Sequence, residues 1–511
     1  MERDSRPTLA GLRRPSRSCG KTRTWQFRSS HLHWTDLPDT EGKLALRSAQ
    51  AGERDLMTTS AARLAGIEAP DEPLPVFRLL RTVVDNPIKA WPGALYRERL
   101  YRSRVVGHDT VYVMSPDLIR AVLLDDADNF EKGEIARRAL GPALGDAILT
   151  ADGSRWRWQR RAVAPIFRQE RIRAFLPAMI GAALRTRDRW HALPPGVEID
   201  IAHEMMRTTF DIILNTMLPG RGSIDAELME RSVTSYLEST SWIVALAMIG
   251  APRWVPYPGM YRARRERKRL HLMLETLILE AEQAPGDRND LLSLLLNATD
   301  PETGQSMDSI DVQNNLLTFI TAGHETTALA LTWTFYLLSL YPEIEQRING
   351  EIAAVTEGGP VHPKHIDALV YTNQVIQEAM RLYPPAALIV REARGDIELG
   401  NEQIRAGTTI CVPVYAVHRH KKLWCEPDRF DPSRFEPEAA KTRDRYSYLP
   451  FGAGSRTCIG QNFAQIEATA VLVTLLSTFQ LRLRPGHIPE PRLRVTLRPA
   501  GGMPMQAVRR W

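Results

Sequence analysis

The chain should fold as a mainly α-helical body with a small β part. Three stretches carry that expectation. From about residue 155 to 353, apolar side chains recur at helical spacing, with one interruption near 252 to 258. From residue 397 to 414 the pattern turns strand-like, and Gly400-Asn401 and Ala406-Gly407 supply turns. Residues 427 to 450 form a long irregular stretch rich in proline, arginine and aromatics.

Composition sets the outer bounds. With 511 residues, 43% hydrophobic and 25% charged, the chain has ample material for a large core. The net charge of +6 is local. Arg3, Arg6, Arg13, Arg14, Arg17, Lys21, Arg23 and Arg28 face only Glu2 and Asp4, and eight minus two already gives six. The rest of the chain is near neutral, so no nucleic-acid partner is expected of the main body. Residues 1–70 are rich in Arg, Ser and Thr and lack periodicity. They read as a disordered or non-native N-terminal extension, with an organellar presequence as the alternative. Met57 is a candidate internal start of translation. The main domain is expected over 71–511.

No apolar run reaches the roughly 18 to 20 residues that span a bilayer, and no signal-peptide core precedes the domain. No transmembrane anchor is therefore expected. Cys19, Cys411, Cys425 and Cys458 are too few and too irregularly spaced for a disulfide framework or a zinc site. A cytoplasmic location fits that usage.

The elements follow in chain order. Val105-Val106 and the residues 110 to 114 read as a short hairpin around Gly107-His108-Asp109. Ser115-Pro116 then starts a helix, with serine as N-cap and proline in the first turn. Residues 312 to 340 form a long helix containing Thr321-Ala322-Gly323-His324-Glu325-Thr326-Thr327. Glycine and threonines weaken helix propensity there, and a threonine hydroxyl can bond a carbonyl one turn back, so a local opening is expected. Glu378 and Arg381 are three apart on a helix that Pro384-Pro385 ends, so their side chains meet.

The most specific stretch is Phe451-Gly452-Ala453-Gly454-Ser455-Arg456-Thr457-Cys458-Ile459-Gly460, followed by helical spacing from 461 to 479. A cysteine at a helix start meets unpaired N–H groups and the positive end of the helix dipole, which favour thiolate. The glycines let backbone approach something flat and bulky. A thiolate ligand to haem iron needs that combination.

These motifs, in this order, resemble the cytochromes P450 over nearly all of the chain from about Pro75 onward. The resemblance implies the cytochrome P450 fold, haem b, and Cys458 as the axial ligand to the haem iron. It implies Thr326 as the alcohol that holds a proton-donating water, with Glu325 as the carboxyl feeding it. Trp156, Arg160, Arg391 and Arg456 match positions that bind the haem propionates. Arg434 matches the third partner of Glu378 and Arg381 in a buried triad behind the cysteine loop. Pocket walls are expected at 131–148, 242–256, Leu317, Ile320 and 386–390, with a contribution from 500–503.

The implied activity is that of a soluble, bacterial-type haem-thiolate monooxygenase. It would insert one oxygen atom of O2 into a lipophilic small molecule. Electrons would come from a ferredoxin or flavodoxin with its reductase, attracted to a basic face formed by Arg155, Arg157, Arg161, Lys421, Lys422, Arg443 and Arg445. The alternatives are a peroxide-using or isomerising P450 and a non-catalytic haem-binding sensor.

Overall fold

The computed structural model describes residues 64–510, apart from 106, 218–225, 239 and 284–289. The expected extension therefore lies outside the described residues up to residue 63, as does Val106 of the hairpin. Packing reaches back to Leu64, ahead of the expected boundary at residue 71. Ala65 is buried because Tyr336 and Tyr383 hold its backbone: the Ala65 N–H donates to the Tyr336 hydroxyl (3.0 Å), and the Tyr383 hydroxyl donates to its carbonyl (2.7 Å).

Helices dominate, with small sheets at the margins. The spine is helix Ser309–Leu340, capped by the Asp308 side chain, which accepts from the Asp311 N–H. It is apolar on nearly every side and is buried over most of its length, as expected of a helix with no solvent face. Its first half, including Val312, Leu316, Leu317 and Ile320, packs into one hydrophobic core; its second half, from Ala328 to Leu338, packs into another. The stretch carrying Gly323 and Thr326 lies at the junction. Trp333 stacks on Tyr383 with ring centroids 4.1 Å apart, which adds about 0.5–1.5 kcal/mol to their burial.

The hairpin forms as strands Leu100–Val105 and His108–Val113, closing on Val105 opposite His108. Pro116 starts the next helix as expected, but the Ser115 side chain makes no capping bond. In the five-stranded sheet, His108–Val113 pairs in parallel with Thr409–Val412, which pairs antiparallel with Ile389–Ala393. That second pairing places Arg391 opposite Ile410. Gly400 and Gly407 take the left-handed conformation their turns require. Helix Gln461–Leu476 follows the cysteine loop, and Phe479 opens the next strand rather than closing the helix. Among the described residues no helix is long and apolar enough to cross a membrane.

Candidate active site

The cysteine loop is fixed by three constraints. The Cys458 N–H donates to the Phe451 carbonyl at 2.8 Å, which closes the loop on itself. Gly452 and Gly454 both sit at φ near +70°. At Gly454 a Cβ would stand 1.8 Å from the Leu123 carbonyl oxygen, so no other residue fits without moving backbone. The third constraint is His418. Its Nε2 accepts the Leu449 N–H at 2.8 Å, and its Nδ1 lies 3.1 Å from the Arg381 carbonyl. The first contact requires Nε2 to be unprotonated, so Nδ1 carries the proton. Burial and the neighbouring Arg381 push this imidazole down to about 3, which keeps it neutral.

Behind the loop stands the expected triad. Glu378 and Arg381 are wholly buried and joined by two hydrogen bonds, 2.6 and 2.8 Å. Arg381 also donates to the carbonyls of His418, Pro427 and Arg429. Glu378 further accepts the Asp431 N–H at 2.9 Å and meets Arg434 Nε at 3.4 Å. The helix Val370–Leu382 thus holds the irregular 427–450 stretch through the Arg381 guanidinium and the Glu378 carboxylate.

The Cys458 thiol opens into a cavity of about 540 Å³. It presents surface, yet protein surrounds it: the exposed face looks into the cavity, not bulk solvent. Burial pushes the thiol up, and a hydrogen bond from Gly460 and the charge of Arg160 only partly offset this. Desolvation therefore outweighs the helix-terminus effect that favoured thiolate in the sequence. A cation against the sulfur is what would tip the balance back.

Four cations border the same cavity. Arg160 is the one whose charge acts on Cys458. Arg391, Arg456 and Lys132 form a separate cluster around a single carboxylate, Asp152. Arg456 donates to Asp152 and to the Ala151 carbonyl, and its guanidinium lies 4.3 Å over the Trp156 ring. Arg391 is buried and, among the described residues, donates only to the carbonyl of Val390 next to it. Burial and mutual repulsion push Arg391 down to about 10 and Lys132 down to about 7. Three cations, Arg391 buried and Lys132 and Arg456 half-buried, share one carboxylate and are short of negative charge. A flat ligand carrying two carboxylates, seated on a soft sulfur donor, would supply it, so the residues present fit haem. Lys132 escaped the sequence reading. A lone lysine in Phe130-Glu131-Lys132-Gly133 carries no signal until the fold brings it to Arg391 and Arg456.

Opposite the thiol lie Leu317, Thr318, Thr321, Ala322, Gly323, Glu325, Thr326 and Thr327 of the long helix. That helix is continuous: Thr321, Thr326 and Thr327 bond the carbonyls of Leu317, Ala322 and Gly323 without opening it. Gly323 has a packing reason instead. A Cβ there would stand 2.8 Å from Ile213 Cδ1 of helix Ile201–Met217, the closest-packed neighbour of the long helix. Glu325 does not turn toward Thr326. Its Oε1 accepts from Thr496, just ahead of strand Leu497–Ala500, and from Arg498 within that strand at 2.7 Å.

The remaining walls are mainly apolar: Ala136, Leu140 and Leu144 from helix Gly133–Leu144 and Ile148 after it, Pro385, Ala386 and Leu388 leading into strand Ile389–Ala393 with Ile389 at its start, and Val495 from the turn before strand Leu497–Ala500. Three of the expected walls change here. Ile320 packs in the core instead of the cavity, and residues 500–503 give way to Val495 and Thr496. Met503 is buried with its N–H on Asp200. Val233 and Tyr236, rather than 242–256, represent the stretch before the proline-rich turn. The expected basic face is also reduced. Arg155 pairs with Asp311, Arg157 with Asp128 and Arg161 with Asp300, so these three add little net charge.

Glu467 was also missed. It lies wholly buried on helix Gln461–Leu476. Among the described residues neither carboxyl oxygen has a well-formed hydrogen bond, and the Thr327 hydroxyl is the polar group against it. Burial raises it far above the ordinary carboxyl range, so it is held protonated. An acid amid Ala468, Ala470, Val471 and Leu472 was the signal available.

Comparison with known proteins agrees with this geometry. The family model "Cytochrome P450" matches residues 73–503. The cyclooctat-9-en-7-ol 5-monooxygenase of Streptomyces melanosporofaciens is 34% identical over 73% of this chain and 80% of its own length. The pentalenene oxygenase of Streptomyces avermitilis is 31% identical over 78% of this chain and 90% of its own. The crystal structure of the cytochrome P450DA heme domain superposes with a TM-score of 0.77 at 25% identity, covering 88% of this chain and 98% of that one.

Proposed function

The chain belongs to the cytochrome P450 family and is a P450 monooxygenase that uses haem, and from that premise we propose that it oxygenates a terpenoid hydrocarbon or alcohol. One observation carries the proposal most: a free thiol and threonines of the long helix line one cavity whose walls, apart from the cations and Glu325, are mainly apolar. Such walls bind by excluding water from hydrocarbon surface and offer few polar anchors, which suits a compact, weakly functionalised substrate. The similarity to oxygenases named for cyclooctatenol and pentalenene points the same way.

In this reading the cofactor is haem b. Cys458 ligates its iron, and Arg160 favours the thiolate by its charge. Arg391 and Arg456, with Lys132 and the Trp156 ring that backs Arg456, receive the propionates. When bound, a haem iron under a thiolate activates dioxygen, because the sulfur's electron donation favours O–O cleavage. The chain's residues control protons around that event. Thr326, on the cavity side of the long helix, positions a water as donor once its hydroxyl leaves the Ala322 carbonyl. Glu325, one residue before, supplies the proton. Electrons come from a separate ferredoxin or flavodoxin with its reductase, docking near Lys421, Lys422 and Arg445. A cytoplasmic setting fits such partners.

The test is a spectral screen of the purified haem protein with cyclic terpenes, terpene alcohols, fatty acids and steroids. Terpenes should give type I shifts and product that depends on an electron donor. Turnover with peroxide alone, or shifts only with fatty acids or steroids, would reject the reading.

A further inference from the structure

The β hairpin Glu490–Leu493 and Leu497–Ala500 sits where a substrate would meet a catalytic acid. Its turn residues Val495 and Thr496 line the cavity. Its turn end is held from several sides. Arg494 donates to the Val84 carbonyl and to Ser241, Trp333 Nε1 donates to the Leu497 carbonyl at 3.0 Å, and the Leu497 N–H donates to the Pro385 carbonyl at 2.9 Å. From this anchored frame two side chains reach the long helix. Thr496 Oγ1 and Arg498 (Nε 2.7 Å, guanidinium 2.6 Å) all converge on Glu325 Oε1. Oε2 has no hydrogen-bond partner among the described residues, and Glu325 borders the cavity. One carboxyl oxygen is thus pinned while the other is left for the cavity side.

We propose that Arg498 and Thr496 are positioning residues for the proton-handling carboxyl of Glu325, and that their hairpin ties the place of that carboxyl to substrate contact at Val495 and Thr496. This rests on the reading of Glu325 given above. A charge-assisted pair with two donors on one oxygen holds the carboxyl in a single orientation, which a lone surface pair does not. Because Thr496 touches both the cavity and Glu325, a ligand that presses on the turn shifts the donor set of the acid directly. A substrate too small to reach Val495 leaves the acid where it stands.

Two measurements test this on purified haem-loaded protein. The first is a thermal-unfolding cycle of Arg498→Gln, Glu325→Gln and the double variant. The clamp predicts non-additivity: Arg498→Gln lowers the midpoint when Glu325 is intact and has little effect in the Glu325→Gln background. The second is the share of consumed reductant that ends as hydrogen peroxide, with a surrogate ferredoxin and reductase. Arg498→Gln should raise that share several-fold, Thr496→Val should raise it less, and Arg498→Lys should restore most of the wild-type value. The affinity of imidazole for the iron, read from its spectral shift, should stay unchanged. Additive midpoints, or a peroxide share that Arg498→Gln does not move, would overturn the proposal. Equal loss of imidazole affinity would also overturn it, since that marks general disorder of the pocket. If Glu325→Gln itself leaves the peroxide share at the wild-type value, the role given to Glu325 fails, and the unfolding cycle still reports separately on the clamp.

Discussion

Replacing Arg381 by leucine removes five hydrogen bonds from one buried point: two to Glu378 and three to the carbonyls of His418, Pro427 and Arg429. The wholly buried Glu378 keeps the Asp431 N–H and a 3.4 Å approach of Arg434, so its loss falls at the low end of the range for a broken buried pair, about 3 kcal/mol. Three carbonyls without donors add about 1 kcal/mol each, about 6 kcal/mol in all. Unfolding entropy near 2.1 cal/mol/K per residue over about 450 residues gives about 0.9 kcal/mol/K. The thermal midpoint should therefore fall by about 6 °C. Because those carbonyls belong to the segment leading into the cysteine loop, haem content should fall with it. The assay is circular dichroism melting together with the ratio of haem to protein absorbance. Arg381→Leu combined with Glu378→Leu should melt above the single variant, since the stranded carboxylate is gone. A double variant that melts below the single one would refute the reasoning, as would a single variant with wild-type midpoint and haem content.

Three further outcomes follow from the same geometry. Folded His418 takes no proton until about pH 3, whereas the unfolded chain takes one near 6.5; its contribution to stability is therefore lost as pH falls from 6.5 toward 3, by up to about 1.4 kcal/mol per pH unit. Urea titrations across that range should show a shallower acid slope in His418→Gln. Gly452→Ala should cost about 1–2 kcal/mol for its left-handed backbone, with haem retained, whereas Gly454→Ala meets the Leu123 carbonyl and should yield protein without haem. Glu467→Gln copies the shape of a protonated acid and should keep the unfolding free energy within about 1 kcal/mol of wild type, whereas a loss of several kcal/mol would mean the carboxyl is ionised.

The parts legible in the sequence were those whose signal is local. The cysteine loop, the long helix and the Glu378–Arg381 pair each have fixed short spacing, and the structure places them on one site. Helix Ser309–Leu340 starts three residues earlier than its apolar pattern, at an aspartate cap the period does not register. What stayed hidden was made by distance along the chain. Lys132 joins Arg391 and Arg456 only through the sheet and the loop. Thr496 and Arg498 lie more than 170 residues from Glu325, and no pattern in either stretch announces the other. The basic face shrank for the same reason: Asp128, Asp300 and Asp311 neutralise three arginines that look unpaired in the primary sequence. Desolvation of Cys458 is also a property of the enclosing walls, which a ten-residue motif does not contain.

The central claim is that Cys458 binds haem iron as a thiolate. The ferrous–carbon monoxide difference spectrum reads this directly, comparing wild type with Cys458→Ser and Cys458→His. Thiolate ligation by Cys458 predicts the red-shifted Soret band in the wild type and its loss in both variants. A wild type without that band, or a serine variant that keeps it, would contradict the account.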